Sequence, residues 1–95
     1  MPSYELVFIM NASLSEDDLT GAVGKVNELI TKLGGTVAET NQWGKRKFAY
    51  PIKKQTEGNY VLEKVEIGQT ALKELDNTLK MSNEILRYLF VRSNN

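Results

Sequence analysis

The fold of this chain is decided by one short stretch near its amino terminus, Tyr4-Glu5-Leu6-Val7-Phe8-Ile9-Met10. Aromatic and β-branched residues dominate it and the apolar residues are nearly continuous, which is typical of a strand with neighbours on both sides. The stretch therefore predicts an interior strand over residues 4–10. Its uninterrupted apolar run covers only residues 6–10, whereas a membrane-spanning helix needs roughly 20 such residues. We expect no membrane crossing.

The residues that follow predict an amphipathic helix. Ser15 and Asp18 have the spacing of a capping box, and the acidic residues beside them suit the positive end of a helix. Apolar residues then recur at intervals of three and four, and Gly34-Gly35 supplies the positive φ that ends helices. The apolar stripe consists of Leu19, Val23, Val26, Ile30 and Leu33. The helix is expected to end near Leu33.

A hairpin is predicted next. Residues 36–52 read as one long strand, bent at Gly44, where a glycine inside an extended segment indicates a bulge or a close backbone approach. The polar residues 53–59, which include Gly58, are expected to form the turn. Residues 60–67 then return as the antiparallel partner strand.

A second helix and a last strand complete the pattern. Leucines at helical spacing predict a helix over residues 70–81, and period-two alternation predicts a strand over residues 85–92. The resulting order predicts an α+β, ferredoxin-like fold: a split β-α-β-β-α-β arrangement with a four-stranded antiparallel sheet and two helices on one face. We expect a single domain over residues 1–95, with frayed residues 93–95.

The composition excludes most chemistry. The chain has no cysteine and no histidine, so thiolate nucleophiles, imidazole bases and the usual zinc ligands are missing. Its acidic residues are explained by a helix start or are scattered over strands, and no glycine-rich phosphate loop is present. We therefore expect no catalytic residue, no metal, no cofactor and no small-molecule substrate, and the chain is not expected to be an enzyme. Because the amino terminus does not resemble a secretory signal, cytoplasmic residence is the default expectation.

The charge of the chain is unevenly distributed. Twelve basic and twelve acidic residues cancel overall. Residues 43–54, called the basic segment from here on, nevertheless hold five basic residues and no acidic one, interleaved with Trp43, Phe48 and Tyr50. Such aromatic rings can stack on unpaired bases while the cations meet phosphates, which favours RNA binding. The alternative is a solvated hairpin whose lysines serve solubility and protect a sheet edge.

Strand alternation also predicts an unpartnered apolar surface. If Leu6 and Phe8 face the helices, five apolar residues point to the uncovered side of the sheet, and a patch of that size suggests a protein partner. These residues, the apolar patch, are Val7, Ile9, Leu62, Leu89 and Val91. The alternative is a different register, because this one turns Glu63 inward. Arg87 and Arg92 are five residues apart, so they should lie on opposite faces.

The basic segment resembles the signature of a known family. Trp43-Gly44-Lys45-Arg46-Lys47-Phe48-Ala49-Tyr50-Pro51-Ile52-Lys53-Lys54 is similar to the corresponding segment of the bacterial small-subunit (30S) ribosomal protein six family. Further similarities lie at Tyr4-Glu5, Leu14-Ser15-Glu16, Gly34-Gly35, Gly58 and residues 86–92. The resemblance therefore extends over essentially the whole chain.

The resemblance implies a function that the residues alone do not reach. It implies a place in the central domain of the small ribosomal subunit, contact with 16S ribosomal RNA and a heterodimer with small-subunit ribosomal protein eighteen. The RNA-binding candidates that it implies are Lys45, Lys47, Tyr50, Lys53, Lys54, Arg87 and Arg92.

Two further classes of function compete with this interpretation. A ferredoxin-like module could use the same open face for self-association or for a small regulatory ligand without binding RNA, and the neutral net charge favours it slightly. A small acyl-phosphate hydrolase on this fold would need an arginine-bearing anion loop after the first strand. Residues 11–15 contain no basic residue, so the hydrolase is disfavoured.

Overall fold

A computed structural model describes residues 1–93 of the chain. Its elements, in chain order, are β1 Ser3–Asn11, α1 Glu16–Lys32, β2 Thr36–Ile52, β3 Gln55–Glu66, α2 Gln69–Lys80 and β4 Ile85–Arg92. The four strands form one sheet in the order β2-β3-β1-β4, and each neighbouring pair is antiparallel. The predicted ferredoxin-like fold and the interior position of the first strand are both confirmed.

The register of β1 divides the sheet into two faces. Leu6 lies opposite Glu63 of β3 and opposite Phe90 of β4. The next residue, Val7, lies opposite Leu62 and Leu89. Because directly opposed residues point to the same side, the Leu6 row forms a helix-covered face and the Val7 row forms an open face.

The core lies between the helix-covered face and the two helices. Strand residues from this face and the apolar stripes of both helices form one buried cluster. Its members include Leu6, Phe8, Met10, Val23, Val26, Ile30, Val61, Val65, Leu75 and Leu79. Tyr88 and Phe90 are partly buried and pack against the cluster. Strands β1, β3 and β4 and both helices therefore contribute to one contiguous core.

Helix α1 begins and ends where its sequence signals stand. The Ser15 side chain accepts a hydrogen bond from the Asp18 amide at 3.1 Å, which satisfies one of the free N–H groups of the first turn. At the other end, Gly34 has φ +84°, a conformation that a side chain disfavours. The predicted start at Ser15 and end near Leu33 are confirmed.

Helix α2 spans Gln69–Lys80, one residue earlier than predicted at each end. Gly68 precedes it and provides no side-chain cap, so the sequence offered little to fix the boundary. The helix is tied to β4 by the Tyr88 hydroxyl, which donates to Asp76 Oδ1 at 2.6 Å and contacts the Asp76 carbonyl oxygen at 3.0 Å. This hydrogen bond lowers the pKa of Asp76. The pKa of Tyr88 is raised to about 12, mainly by burial and then by the hydrogen bond and negative charge of Asp76.

The predicted turn over residues 53–59 is wrong, because the hairpin turns at Lys53 and Lys54 alone. Both residues have positive φ, 48° and 67°, and Ile52 already pairs with Gln55. Two-residue hairpin turns favour positive φ at both central positions, and Asn-Gly is the sequence that usually adopts this conformation. A pair of lysines is not typical of such a turn, so the sequence did not predict it. Residues 55–59 belong to β3 and not to the turn, because Glu57, Gly58 and Asn59 pair with residues of β2. The buried Asn59 side chain also donates to the Asn11 carbonyl oxygen at 3.0 Å.

Edge strand β2 is bent as predicted. Gly44 has φ +83°, and the pairing with β3 shifts between Gln42 and Gly44. Such a bulge twists an exposed edge away from other strands. At the carboxyl end, the Ser93 amide donates to the Ser3 carbonyl at 2.8 Å. Fraying was predicted for residues 93–95, of which residues 94 and 95 lie outside the described residues. Within residues 1–93, no helix is long and apolar enough to cross a membrane.

Candidate RNA- and protein-binding surface

All five residues of the apolar patch lie on the open face. Val7 is paired with Leu62 on one side and Leu89 on the other, and the strand period adds Ile9 and Val91. Leu89 is 60% exposed and Val91 46% exposed, unusually high values for aliphatic residues in a sheet. Ile9 is only 7% exposed. The predicted geometry of the patch is confirmed, while its role as a docking surface stays a prediction.

Glu63 faces inward, which settles the register. Its side chain is fully buried on the helix-covered face, where Thr40 Oγ1 donates to Oε2 at 2.9 Å. Asn27 of α1, with its amide nitrogen turned towards the carboxyl group, donates to both oxygens, at 3.0 Å to Oε1. Burial raises the pKa of Glu63 to about 7, although the two hydrogen bonds oppose the rise. The alternative register is therefore wrong: the inward carboxyl group is accommodated by two polar neighbours.

The basic segment forms β2 from its bulge to its end, together with the hairpin turn. Lys45 and Lys47 lie opposite Asn59 and Glu57 of β3, and Lys53 and Lys54 occupy the tip. The four lysine side chains are exposed, and Tyr50 is 70% exposed. The hairpin therefore presents its cations to solvent. Beyond the Arg46–Gly58 pair it forms an arm, in which β2 and β3 pair only with each other because β1 ends at Asn11.

The two arginines of β4 lie on opposite faces, as predicted. Arg87 is opposite Ile9 on the open face, and both help to line a cavity with Lys47 and Tyr50 of the basic segment. Arg92 is opposite the buried Tyr4, on the helix-covered side. Five residues of strand place it roughly 17 Å from Arg87. The structure thus brings Arg87 to Lys47 and Tyr50 of the basic segment. Lys45 lies opposite Asn59 on the helix-covered side, and Arg92 is on that side at the far end of β4.

Two aromatic residues at this site were not among the predicted site residues. Phe48 and Tyr60 lie across β2 and β3 with their ring centroids 6.2 Å apart and their planes tilted by 54°. Arg46 was also left out, and its register opposite Gly58 places it on the open face. Tyr60 is two residues from Leu62 on the same strand, so period-two counting would have found it. Phe48 lies near a register shift of β2, where counting fails.

The chain matches the family model described as Ribosomal protein S6 over residues 3–92. The chain belongs to the ribosomal protein S6 family. The match covers both helices and all four strands, so it includes the basic segment and the open face of this S6-family chain. The family resemblance inferred from the signature segment is confirmed.

Curated relatives of this S6-family chain match it over nearly their whole length. Small ribosomal subunit protein bS6 of Fusobacterium nucleatum is 40% identical, with 97% of this chain and 98% of that protein covered. The bS6 protein of Clostridium acetobutylicum is 42% identical, with 96% of each covered. These relatives are named as ribosomal proteins and not as enzymes, in agreement with the expected lack of catalysis.

Solved structures agree with the fold of this S6-family chain. The crystal structure of 30S ribosomal protein S6 from Thermotoga maritima is similar with a TM-score of 0.91 and 31% identity, covering 97% of this chain and 87% of that one. The carboxyl-terminal domain of the MgtC protein from Mycobacterium tuberculosis has a TM-score of 0.64 at 9% identity, with 100% of this chain and 90% of that one covered. The second likeness shows the fold alone.

Proposed function

We propose that this S6-family chain is a structural protein of the small ribosomal subunit that binds 16S ribosomal RNA in the central domain. The basic segment contacts the RNA, and the apolar patch docks small-subunit ribosomal protein eighteen. The chain performs no turnover: it holds RNA and a protein partner in a fixed relation. Its place of action is the ribosome in the cytoplasm.

The observation that carries this proposal is the arrangement of two different surfaces side by side on one sheet. The exposed lysines lie on the projecting hairpin, while the exposed aliphatic residues Leu89 and Val91 lie on the open face of the sheet body. Arg87 stands where the two surfaces meet. Because both surfaces belong to one continuous sheet, an RNA on the arm and a protein on the open face would be held in a fixed geometry.

The physical chemistry of each surface fits its proposed partner. Lysines that meet phosphates release condensed cations, so a basic segment with five basic residues and no acidic one gains affinity for RNA without any base contact. Burying an aliphatic patch against another protein is favourable, by about 25 cal/mol for each Å² of apolar surface removed from water. The neutral net charge is no obstacle, because the basic residues that matter are local.

Affinity purification of the tagged full chain from cells, followed by RNA and protein identification, tests the proposal. Wild-type protein is expected to recover 16S ribosomal RNA together with ribosomal protein eighteen. The double change Lys45→Glu with Lys47→Glu should reduce the RNA, and Leu89→Glu should reduce the protein partner. The matched control is Lys25→Glu with Lys32→Glu, which makes the same change in charge on helix α1.

Two results would contradict the proposal. Recovery of the protein as an RNA-free self-associated species would favour the alternative ferredoxin-like module. Equal loss of RNA in both double variants would show that bulk charge, and not the hairpin, governs binding.

A further inference from the structure

A small notch lies where the apolar patch meets the basic segment. Three opposed residues form a row across the open face: Tyr60 of β3, Ile9 of β1 and Arg87 of β4. Gly44 of β2 ends this row, and the Phe48 ring reaches it from further along β2, with its centroid 6.2 Å from that of Tyr60. Together with Phe48 and Tyr50, the three opposed residues line a cavity of about 250 Å³ that opens to solvent. We call it the Arg87 notch. The roles proposed above for the exposed lysines and for Leu89 and Val91 assign no ligand to this notch.

The floor of the notch depends on Gly58. A Cβ atom placed on Gly58 would lie 2.5 Å from Ile9 Cγ2 and 2.9 Å from Phe48 Cζ. Real Cβ atoms do not tolerate such contacts, so the missing side chain is what lets Ile9 and Phe48 approach each other from β1 and β2. The sequence assigned Gly58 to a turn, but its φ is not positive, and the glycine is required by this close approach instead.

The walls of the notch combine π surface with unneutralised positive charge. The Phe48 and Tyr60 rings stand on one side, and the Tyr50 ring is 70% exposed at the rim. Within residues 1–93, no carboxylate lies within salt-bridge distance of Arg87. The nearby basic segment adds cations and no acidic residue. An aromatic and electron-rich ligand with anionic groups beside it fits these walls.

We propose that the Arg87 notch receives a single unpaired base of the bound RNA, an inference that rests on the proposed function and specifies which feature of the RNA is recognised. The base stacks against the tyrosine rings, and Arg87 meets its edge or the adjacent phosphate. A cavity of about 250 Å³ falls below the roughly 300–1,000 Å³ of sites for larger ligands. Single-stranded bases are recognised on aromatic side chains and arginine planes in this manner.

The charges favour a base over a side chain of the protein partner. An apolar side chain in the notch would cover Arg87 without pairing it, and burying an unpaired guanidinium is costly. A lysine or arginine from the partner would be repelled by Arg87 and by the basic segment. A nucleotide brings both the planar ring that the walls can hold and the phosphate that the cations can meet.

The test compares two RNA hairpins that differ at one nucleotide. The first carries a fluorescent purine analogue as a single bulge, and the second carries the same analogue in a base pair. Full-length wild-type protein should bind the bulged hairpin about tenfold more tightly, because stacking of one base is worth roughly that factor. Binding should also quench the fluorescence of the bulged analogue.

Exposed residues of the notch provide the variants. Tyr50→Ala and Arg87→Gln should each reduce the preference for the bulge to less than about threefold, while affinity for the paired hairpin changes less. Lys73→Gln is the matched control, because it removes one positive charge from the exposed surface of helix α2, away from both proposed binding surfaces. It should keep the preference and the quenching.

The outcomes separate this inference from the proposed function. Salt-dependent binding of both hairpins with equal affinity would leave the RNA-binding function standing and overturn the notch. Preserved bulge preference in both notch variants would also overturn it, and loss of partner binding in those variants would assign the notch to the protein partner. Failure to bind either hairpin at low salt would contradict the proposed function and the notch together.

Discussion

The two faces of the sheet are both rich in apolar residues, but they differ in how far those residues are buried. On the helix-covered face, Leu6 and Phe8 are fully buried, and the buried charged residue of the described chain, Glu63, is enclosed with hydrogen-bonding neighbours. On the open face, Leu89 and Val91 remain exposed beside Arg87. Apolar character alone therefore does not decide burial within this chain. Helix cover accounts for most of the burial. On the open face Ile9 is buried by its sheet neighbours, while Leu89 and Val91 are available to partners.

The comparison predicts that stability depends on the helix-covered face and binding on the open face. Four predictions test this division, and the expected effect on the free energy of unfolding decreases from the first to the last.

Truncating the helix side of the core should have the largest effect. Leu75→Ala or Leu79→Ala removes a buried side chain of α2 and leaves a cavity, which typically costs about 2–5 kcal/mol. Urea unfolding followed by circular dichroism measures the loss. The control is Leu89→Ala on the open face, expected to cost under about 0.5 kcal/mol because the side chain is already exposed. Similar losses at Leu79 and Leu89 would remove the distinction between the faces.

Glu63 should make stability depend on pH. The folded state raises its pKa from 4.5 to about 7, so between these values the folded protein binds more protons than the unfolded chain. The contribution of Glu63 is therefore fully favourable below about pH 4.5 and is lost as pH rises through about 7. The total loss is on the order of 3 kcal/mol, since each tenfold change in proton affinity is worth about 1.4 kcal/mol.

The variant Glu63→Gln isolates this effect from the other carboxyl groups. The difference in unfolding free energy between wild type and Glu63→Gln should change between pH 4.5 and 7 and stay constant above pH 8 or so. Asn27 and Thr40 can both pair with the amide, so the fold is retained. Glu66→Gln, which changes an exposed carboxyl group on the same strand, is the control. A constant difference for Glu63→Gln across this range would contradict the burial argument.

A carboxylate on the open face should affect binding much more than folding. Leu89→Glu places a charge where solvent already reaches, so the expected cost in stability is below about 1 kcal/mol. Val7→Glu, at a partly buried position, should cost more but leave the fold intact. Both should weaken affinity for ribosomal protein eighteen at least tenfold, because a dry interface does not accept an unpaired carboxylate. Calorimetric titration with the purified partner measures the loss, and wild-type affinity in both variants would show that the partner docks elsewhere.

The smallest effect on stability is expected at the hairpin. Lys45→Glu with Lys47→Glu changes exposed side chains and should alter the unfolding free energy by less than about 0.5 kcal/mol. The same change should weaken binding to 16S ribosomal RNA, measured alone or with the protein partner. It should also reduce the slope of the logarithm of the binding constant against the logarithm of the salt concentration by about two units, one for each lost phosphate contact. An unchanged salt slope would make the hairpin a solubilising surface.

Local signals predicted most of the fold. The Ser15 cap, the Gly34 end of α1 and the long strand Thr36–Ile52 were all readable, because caps, positive-φ glycines and period-two patterns act over a few residues. The hairpin turn was not readable. A Lys53-Lys54 turn has no intrinsic preference for positive φ, and it is imposed by the pairing of the flanking strands.

The candidate site was predicted only in part, for the same reason. The lysines of the basic segment stand out because their charge excess is local in sequence. Phe48, Tyr60 and Arg87 are far apart in the chain and meet because the strand order β2-β3-β1-β4 brings their strands into one sheet. The sequence pattern of a single strand therefore could not predict that these three residues lie together.

The sequence by itself determined the element order, the amphipathic helices and the alternation of faces along the regular parts of each strand, since these follow from capping and side-chain periodicity. Only the tertiary structure decided that Glu63 finds its partners inside the core and that Gly58 permits a close approach. It also decided that Arg87 joins the hairpin while Arg92 does not. The physical reason is that burial, pKa shifts and composite sites depend on contacts between residues distant in the chain, and those contacts are fixed by sheet register and helix packing.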